Sequence, residues 1–501
     1  MTHLKSASAG ALAVVLACTG VASADVTAEQ VWAAWKDLAE RSGQTLSGTE
    51  SETGDTLTIR EARLVNASTE GASTSLALGT LVLSERSDGS VAVMFPDAMP
   101  LRVVAVSDTG ERIEMDMTVR QSGLEMTASG DTGTIAYDMA APDLALRLDM
   151  MKVDGTPKDV TLEMAAMDTA GTYVVSGNEA QQVAADFTTK LATLAMAVTD
   201  AAQGIALTMT GKVGDVTSSS VSTVPAGAEG TTPAGMLAAG LSSKGRVMHG
   251  GLSYAMDTAE QDNRTNIAVT SGPGTLDFAL AEGAMAYDVV ATDTKMAVSG
   301  TQIPLPQIEM EVAESAFRLE MPLLRTDEPA DFALLTRLDG LKIDNAIWAM
   351  FDPTGQLPRD PATVVLDLGG KARWLVDITD ADSVQPTEMP GELSALNVKD
   401  LQLSVAGVDL AGQGAFTFDN SQKIGQQGMP QPEGKLALRL AGGNALLDKL
   451  VGMGLLPRDQ ATGIRMMVGM FARPGAEGDT LISDIEVTGD GKILANGQRL
   501  R

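Results

Sequence analysis

TIAYDMAAPDLALRLDMMKVDGTPKDVTLEM, residues 134–164, decides the fold. Ile135, Tyr137 and Met139 alternate with polar or small residues, and Leu144, Leu146, Leu148 and Met150 repeat the beat. Asp154-Gly155 then supplies a turn dipeptide, and the alternation resumes at Val160, Leu162 and Met164. Successive side chains of a strand point to opposite faces, so a two-residue period describes strands with one apolar and one wet face. An Asp-Gly pair accepts the positive φ angles of a tight hairpin. The stretch therefore predicts antiparallel strands joined by short turns.

The same beat runs outward in both directions. It appears at Ile113, Met115, Met117 and Val119, and at Ile205, Leu207 and Met209. It returns at Leu276, Phe278 and Leu280, then at Met285, Tyr287 and Val289. Trp374, Val376 and Ile378 follow, with Leu401, Leu403 and Val405, and Leu436, Leu438 and Leu440. Asp88-Gly89, Asp339-Gly340, Asp490-Gly491 and Asn496-Gly497 add further turn signals.

Helices interrupt this pattern briefly. Thr27 is placed as an N-cap, and Val31, Trp32, Trp35 and Leu38 share one face of a helix ended by Gly43, with its Trp pair docked onto a sheet. Short helices are expected at Asn345–Phe351, at Ala445–Met453 after the cap Asn444, and at Asp459–Ala472. In the last, Ile464, Met467, Val468 and Phe471 form the apolar stripe. Residues 218–235 (SSSVSTVPAGAEGTTPAG) are small, polar and Gly/Pro-rich and read as a linker or long loop; 385–392 read as a shorter loop. The expected architecture is mostly β: long antiparallel meandering sheets in two lobes, residues 25–217 and 236–501, with a few short capping helices.

Residues 1–24 read as a signal peptide. Lys5 precedes an apolar run from Ala9 to Ala17, too short to span a bilayer, and Ala22-Ser23-Ala24 offers the small side chains a signal peptidase accepts. Cleavage between Ala24 and Asp25 would release a periplasmic chain with no integral membrane span. Val15-Leu16-Ala17-Cys18 partly resembles a lipobox, so lipidation at Cys18 is the alternative, although Leu16 fits that pattern poorly.

Composition removes most chemistries. The 501 residues carry 36 basic and 65 acidic side chains, a formal charge of −29, which repels nucleic acid and anionic membrane surfaces. With one Cys and two His, disulfide scaffolds and zinc fingers have no ligands to draw on. His249 would have to serve any Ser-His-Asp triad in the exported chain, and His249-Gly250-Gly251-Leu252-Ser253-Tyr254-Ala255 lacks the closing Gly of a nucleophile elbow. Asp377, Asp380 and Asp382 lack the Gly and distal Glu of a calcium loop and read as a solvated acidic turn. No catalytic, metal or cofactor-binding residue is expected. An outer-membrane barrel would need aromatic girdles, which 3% aromatic content does not supply. The 27 Met outnumber the 9 Phe, 4 Trp and 4 Tyr together, so the apolar beat is flexible and polarizable.

Four strings carry a resemblance. VWAAWKDLAERSG at 31–43, IWAMFDPTGQLPRDPA at 347–362, NALLDKLVGMGLLP at 444–457 and ILANGQRL at 493–500 resemble an uncharacterised family of secreted Gram-negative bacterial proteins, domain of unknown function 2125, over nearly the whole exported chain. The resemblance brings no functional residues with it. The strand-rich make-up is also loosely similar to AsmA-like envelope proteins, which by fold analogy implies lipid transport or outer-membrane assembly. Beside this, Pro353, Pro358 and Pro361 fix φ and remove three donors, giving a rigid corner pinned by Trp348 and Phe351. The expected function is a non-catalytic envelope protein that binds or passes lipid-like ligands along an apolar sheet face. The alternative is a closed-core scaffold that recruits envelope proteins by strand pairing.

Overall fold

The computed structural model describes residues 25–67, 71–107, 110–177, 180–226, 233–379, 390–424 and 429–500. Residues 1–24 with Cys18 and Ala24, residues 227–232, residues 385–389 and the pair Asp380 and Asp382 lie outside the described residues. The protein is mostly β, with antiparallel strands and, among the described residues, five helices. It divides into two compact units. The first comprises residues 1–275, 280–282 and 299–304, and the second 276–279, 283–298 and 305–501.

The first unit opens with α1 (Ala28–Arg41), closed at its start by a capping box. Thr27 Oγ1 accepts from Gln30 N at 3.3 Å, and Gln30 Oε1 accepts from Thr27 N at 3.0 Å. The strands follow: β1 (Thr45–Thr53), β2 (Thr56–Ala67), β3 (Ser73–Glu85), β4 (Val91–Met94), β5 (Ala98–Val106), β6 (Arg112–Ser122), β7 (Glu125–Asp131), β8 (Thr134–Val153), β9 (Thr156–Ser176), β10 (Ala180–Asp200) and β11 (Ile205–Pro225). Then come α2 (Pro233–Ala238), β12 (Ser242–His249), β13 (Gly251–Glu260) and β14 (Asn263–Ser271). Order across the sheet is β1-β2-β3, then two short branches, β4-β7 and β5-β6, that both lead to β8. From there β9, β10 and β11 follow in turn, and β12 and β13 pair end to end along β11, with β14 beyond β13. β8 to β11 are 20 to 21 residues long, roughly 70 Å at about 3.3 Å per residue.

One line crosses these long strands. The registers on either side of it set Pro142, Asp168, Lys190 and Asp215 opposite one another, with Gly250 N donating to Gly214 O at the β12–β13 junction. Asp168 and Asp215 both have φ near +50°, which Asp tolerates better than most side chains, and Pro142 has no N–H to place in the ladder. At this line every strand changes phase. In β8 the apolar beat is odd through Ala141 and even at Leu144, Leu146 and Leu148; in β10 it is odd through Phe187 and even from Ala192 to Val198. Strict alternation would turn those residues over to the other face, and the left-handed residues break it. The two short strands read at 135–139 and 144–150 are thus one kinked strand. A register shift between Asp116 and Met117 moves Met150 off the beat, and Met151 pairs with Met115 in its place.

β15 (Gly274–Ala281) straddles the two units. The second unit continues with β16 (Ala284–Gly300), β17 (Ile308–Pro322), β18 (Ala330–Ile343), α3 (Asn345–Phe351), β19 (Ala362–Trp374), β20 (Gly391–Val405), β21 (Val408–Ile424) and β22 (Met429–Ala441). It ends with α4 (Gly443–Gly452), α5 (Arg458–Phe471), β23 (Arg473–Pro474), β24 (Thr480–Val487), β25 (Ile493–Ala495) and β26 (Gln498–Arg499). β16 to β22 pair in chain order, and β24 joins the edge of β22.

Several expectations change here. Asp339-Gly340 is a bulge inside β18, where Gly340 has φ +67° and a Cβ would stand 2.7 Å from Ala313 Cβ. With Asp293 at φ +49° in β16, it repeats in this unit the phase change seen in the first. Trp374 closes β19, and Val376 and Ile378 lie in no strand because the Asp377 carboxylate turns the chain by accepting from Thr379 N at 2.9 Å. Residues 218–225 extend β11 and pair with β10, the Ser and Thr being held by the ladder, and the two units part some fifty residues beyond that segment. Asn444 lies inside α4, whose first N–H groups are met by the Asp479 carboxylate: Asn444 N at 3.1 Å and Ala445 N at 2.8 Å. On α5, Ala461 is buried while Met467 and Phe471 are exposed, so the expected stripe splits between two sides of the helix.

Candidate functional site

At one end of the first unit the sheet closes around α1. Val31 and Trp32 lie against Leu57, Ile59, Leu81, Leu83, Val91 and Val93, all essentially without solvent contact. Trp32 Nε1 donates to Glu50 Oε1 at 2.6 Å, and the Lys36 ammonium, ahead of that indole, holds Glu50 below the usual carboxylate range. Trp35 lies 6.1 Å from the Phe95 ring and 6.0 Å from Tyr137, which stacks on Tyr173 at 4.8 Å. Burial pushes the Tyr173 phenol up to about 12 and the Tyr137 phenol higher still. This end is the largest apolar core among the described residues.

Beyond the kink line the same strands change character. Cross-strand registers align Val119, Leu146, Met164, Leu194, Gly211, Tyr254 and Val269 in one row. A second row runs Leu162, Met196, Met209, Met256 and Ile267, and a third Val160, Val198 and Leu207. Neighbouring strands lie about 4.8 Å apart, so these rows form a continuous apolar surface. It is partly open: Met164 stays 46% exposed and Tyr254 43%, the other members are mostly half-buried and Val269 is buried, while Tyr137 at the closed end of β8 is 0% exposed. The alternate positions carry Thr161, Glu163, Thr193, Thr208, Thr210, Lys212, Ser253 and Asp257 and face the other side.

The second unit has an apolar face of different make-up. Tyr287, Leu319, Leu334, Leu368, Val398 and Leu436 share a row, as do Leu338, Val364, Leu403, Leu410, Leu440 and Leu481. Tyr287, Phe317 and Leu403 are exposed. In this unit the buried apolar side chains among the described residues are Trp348, Leu357, Val365, Ala461 and Ala495.

The singled-out polar residues stand apart from these faces. His249 ends β12 with Nδ1 buried and without a hydrogen-bond partner among the described residues, and burial lowers its pKa. Asp215, the carboxylate beside Gly250, is taken by Lys190. Asp352 is fully buried and organises the proline corner. Its carboxylate accepts from Gln356 N at 2.8 Å and Leu357 N at 2.9 Å, while Arg359 donates to Asp352 O at 3.0 Å and lies over the Trp348 ring. Burial alone would raise the Asp352 pKa; those N–H groups and the Arg359 charge bring it below its ordinary value. Asp25, at the expected processing point, is exposed, and the chain is anchored from the next residue, since Val26 is buried and donates to Gly89 O.

The corner and α4 carry two of the strings that suggested a relationship. Residues 257–488 match the family described as an uncharacterized protein conserved in bacteria, DUF2125. The DUF2125 match takes in β16 to β22, the proline corner and the α4–α5 pair. It leaves out α1, the strands β1 to β12 and the 493–500 string, so it is narrower than the whole-chain resemblance. Neither the curated proteins nor the solved structures yield a match.

Proposed function

We propose that this is a non-catalytic protein of the bacterial periplasm that holds lipid-like apolar ligands against its sheet faces. The supporting observation is the partly open Met-rich surface of β8 to β14, which continues, past one line of kinks, the β8 and β9 strands that pack under α1. A long sheet whose apolar face stays in water exposes more contiguous apolar area than soluble proteins usually tolerate, and such surfaces mark binding sites. Methionine suits acyl chains of variable shape because its thioether is flexible and polarizable.

Native mass spectrometry of protein recovered from the periplasm tests the ligand. A co-purified lipid is expected, and its loss from Met164→Ser/Met196→Ser/Met209→Ser/Met256→Ser with the α1 core intact. A ligand-free wild type that also fails to take up an apolar fluorophore would sink the reading in favour of the protein scaffold. Cell fractionation with N-terminal sequencing tests the address: a chain starting at Asp25 is expected, and a lipid-bearing Cys18 at the N-terminus would move the protein to a membrane anchor.

A further inference from the structure

The α4–α5 pair departs from the rest of the molecule in two ways. Its longer helix, α5, is apolar on both sides. Ala461, Ile464 and Val468 face inward, and Arg465 fastens the helix to α4 by donating to Asn444 Oδ1 at 3.1 Å and Asp448 Oδ1 at 2.7 Å. The outward side carries Met466, Met467, Met470 and Phe471, spaced i, i+1, i+4 and i+5 on one helical face. Met466 is 66% exposed and Met470 61%, and Leu455 in the connection from α4 is also exposed. A helix in a soluble protein ordinarily presents polar residues on the side away from its support.

The second departure is charge. Between Gly443 and Pro474 stand Lys449, Arg458, Arg465 and Arg473 against Asp448 and Asp459, and with Asp479 on the start of α4 and Asp484 on Arg473 the helix pair is neutral in a chain of −29. Arg465 and Arg473 are paired with Asp448 and Asp484. Lys449 and Arg458 have no ion-pair partner among the described residues. An exposed apolar helical face on a helix pair that also carries two cations without ion-pair partners among the described residues fits an interface with apolar depth and negative surface charge. A bilayer containing anionic lipid supplies both.

We propose that the α4–α5 pair docks this protein onto anionic membrane surfaces, with Met466, Met467, Met470 and Phe471 entering the acyl boundary and Lys449 and Arg458 meeting the headgroups. Once docked, α5 lies in the plane of the interface, because no described helix is long and apolar enough to cross a bilayer. This inference is separate from the sheet-face reading: an empty sheet leaves it standing, and a loaded sheet does not supply it.

The test is site-specific quenching in the full chain. Met470→Trp is mixed with phosphatidylglycerol vesicles carrying brominated acyl chains and with all-phosphatidylcholine vesicles of the same bromination, the wild type giving the background of the native Trp. Extra quenching at position 470 is expected with phosphatidylglycerol, weakening as salt is raised. Lys449→Gln/Arg458→Gln should reduce vesicle affinity by roughly fivefold for each charge removed. Flotation of Met466→Ser/Met470→Ser should fall well below wild type, with its circular dichroism unchanged; Met466→Leu/Met470→Leu should float normally. Absence of extra quenching at position 470 in a folded variant overturns the proposal. A dimer that dissociates in Met466→Ser/Met470→Ser, without vesicle binding by the wild type, overturns it as well and assigns the face to a second copy.

Discussion

The two ends of β8 make the most instructive comparison in the molecule. Ile135 and Tyr137 precede Pro142 and are almost wholly buried, packed beneath α1 and its two Trp. Leu144 and Leu146 follow Pro142 and, with Met164 opposite Leu146, stay partly in water, whereas Leu148 further along the same beat is buried opposite Met117. The strand is the same and both stretches alternate. The difference is that one stretch has a helix laid across it. Alternation therefore specifies a sheet with an apolar side but not what covers that side, and the covering element is set elsewhere in the chain. That distinction separates a closed core from a binding surface.

The largest expected effect lies at the closed end. Trp32→Ala removes a side chain with 1% exposure that fills the centre of the α1 core, and a loss of roughly 3–5 kcal/mol follows from a cavity of that kind. Urea unfolding of the first unit reports it. Met196→Ala on the open face should cost far less, because part of its surface is already wet, while ligand uptake should suffer. Equal destabilisation by the two substitutions would erase the contrast between the ends.

The kink in the second unit gives the next effect. Gly340→Ala meets both a left-handed backbone and a Cβ contact of 2.7 Å with Ala313, so a loss of about 2 kcal/mol is expected. A melting temperature like that of wild type would show that the β18 bulge is not held as described. The bulge also shows where sequence reasoning stops. Asp339-Gly340 is a sound turn signal, because both residues accept positive φ; a bulge needs that freedom at one position only. Likewise Pro142 and the change from odd to even numbering look like the end of one strand and the start of another. The signal that distinguishes a kinked strand is the same phase change at Asp168, Lys190 and Asp215, and it becomes decisive only when the registers bring those residues into one line.

Other features were legible for a physical reason. The α1 helix, its Thr27 cap and its docked Trp pair follow from a capping residue and a 3.6-residue stripe, both local properties. Hairpins at Asp154-Gly155 and Asn496-Gly497 follow from backbone preference, and all four residues have positive φ. The split of the α5 stripe was not legible, because a helix apolar on both sides gives no local clue to which side finds a partner.

The proline corner answers to pH. In the folded chain the Asp352 pKa lies below its ordinary value of 3.8. A carboxylate held down in this way contributes stability above the unfolded pKa and loses it as pH falls through the folded value. Trp348 fluorescence, with Arg359 over the ring, should therefore change only on acidification below about pH 4. Asp352→Asn should remove that transition, leaving the corner looser at neutral pH. An acid transition that persists in Asp352→Asn would place the responsible carboxylate elsewhere.

The smallest effect separates charge from backbone at the kink line itself. Lys190 bonds Asp215 and raises its own pKa by doing so, with Asp168 adding a weaker field. Yet both side chains of the pair are largely in water, where the gain in attraction is offset by the cost of ordering two long groups. Lys190→Ala should therefore leave the urea midpoint where it was. Asp215→Val should not, because a β-branched residue at φ +50° loses about 1–2 kcal/mol to backbone strain. If the two substitutions changed places in that ranking, the line would be an ionic seam across an otherwise straight sheet. If the ranking holds, left-handed residues set the line, and the ion pair decorates the boundary between the closed end and the open one.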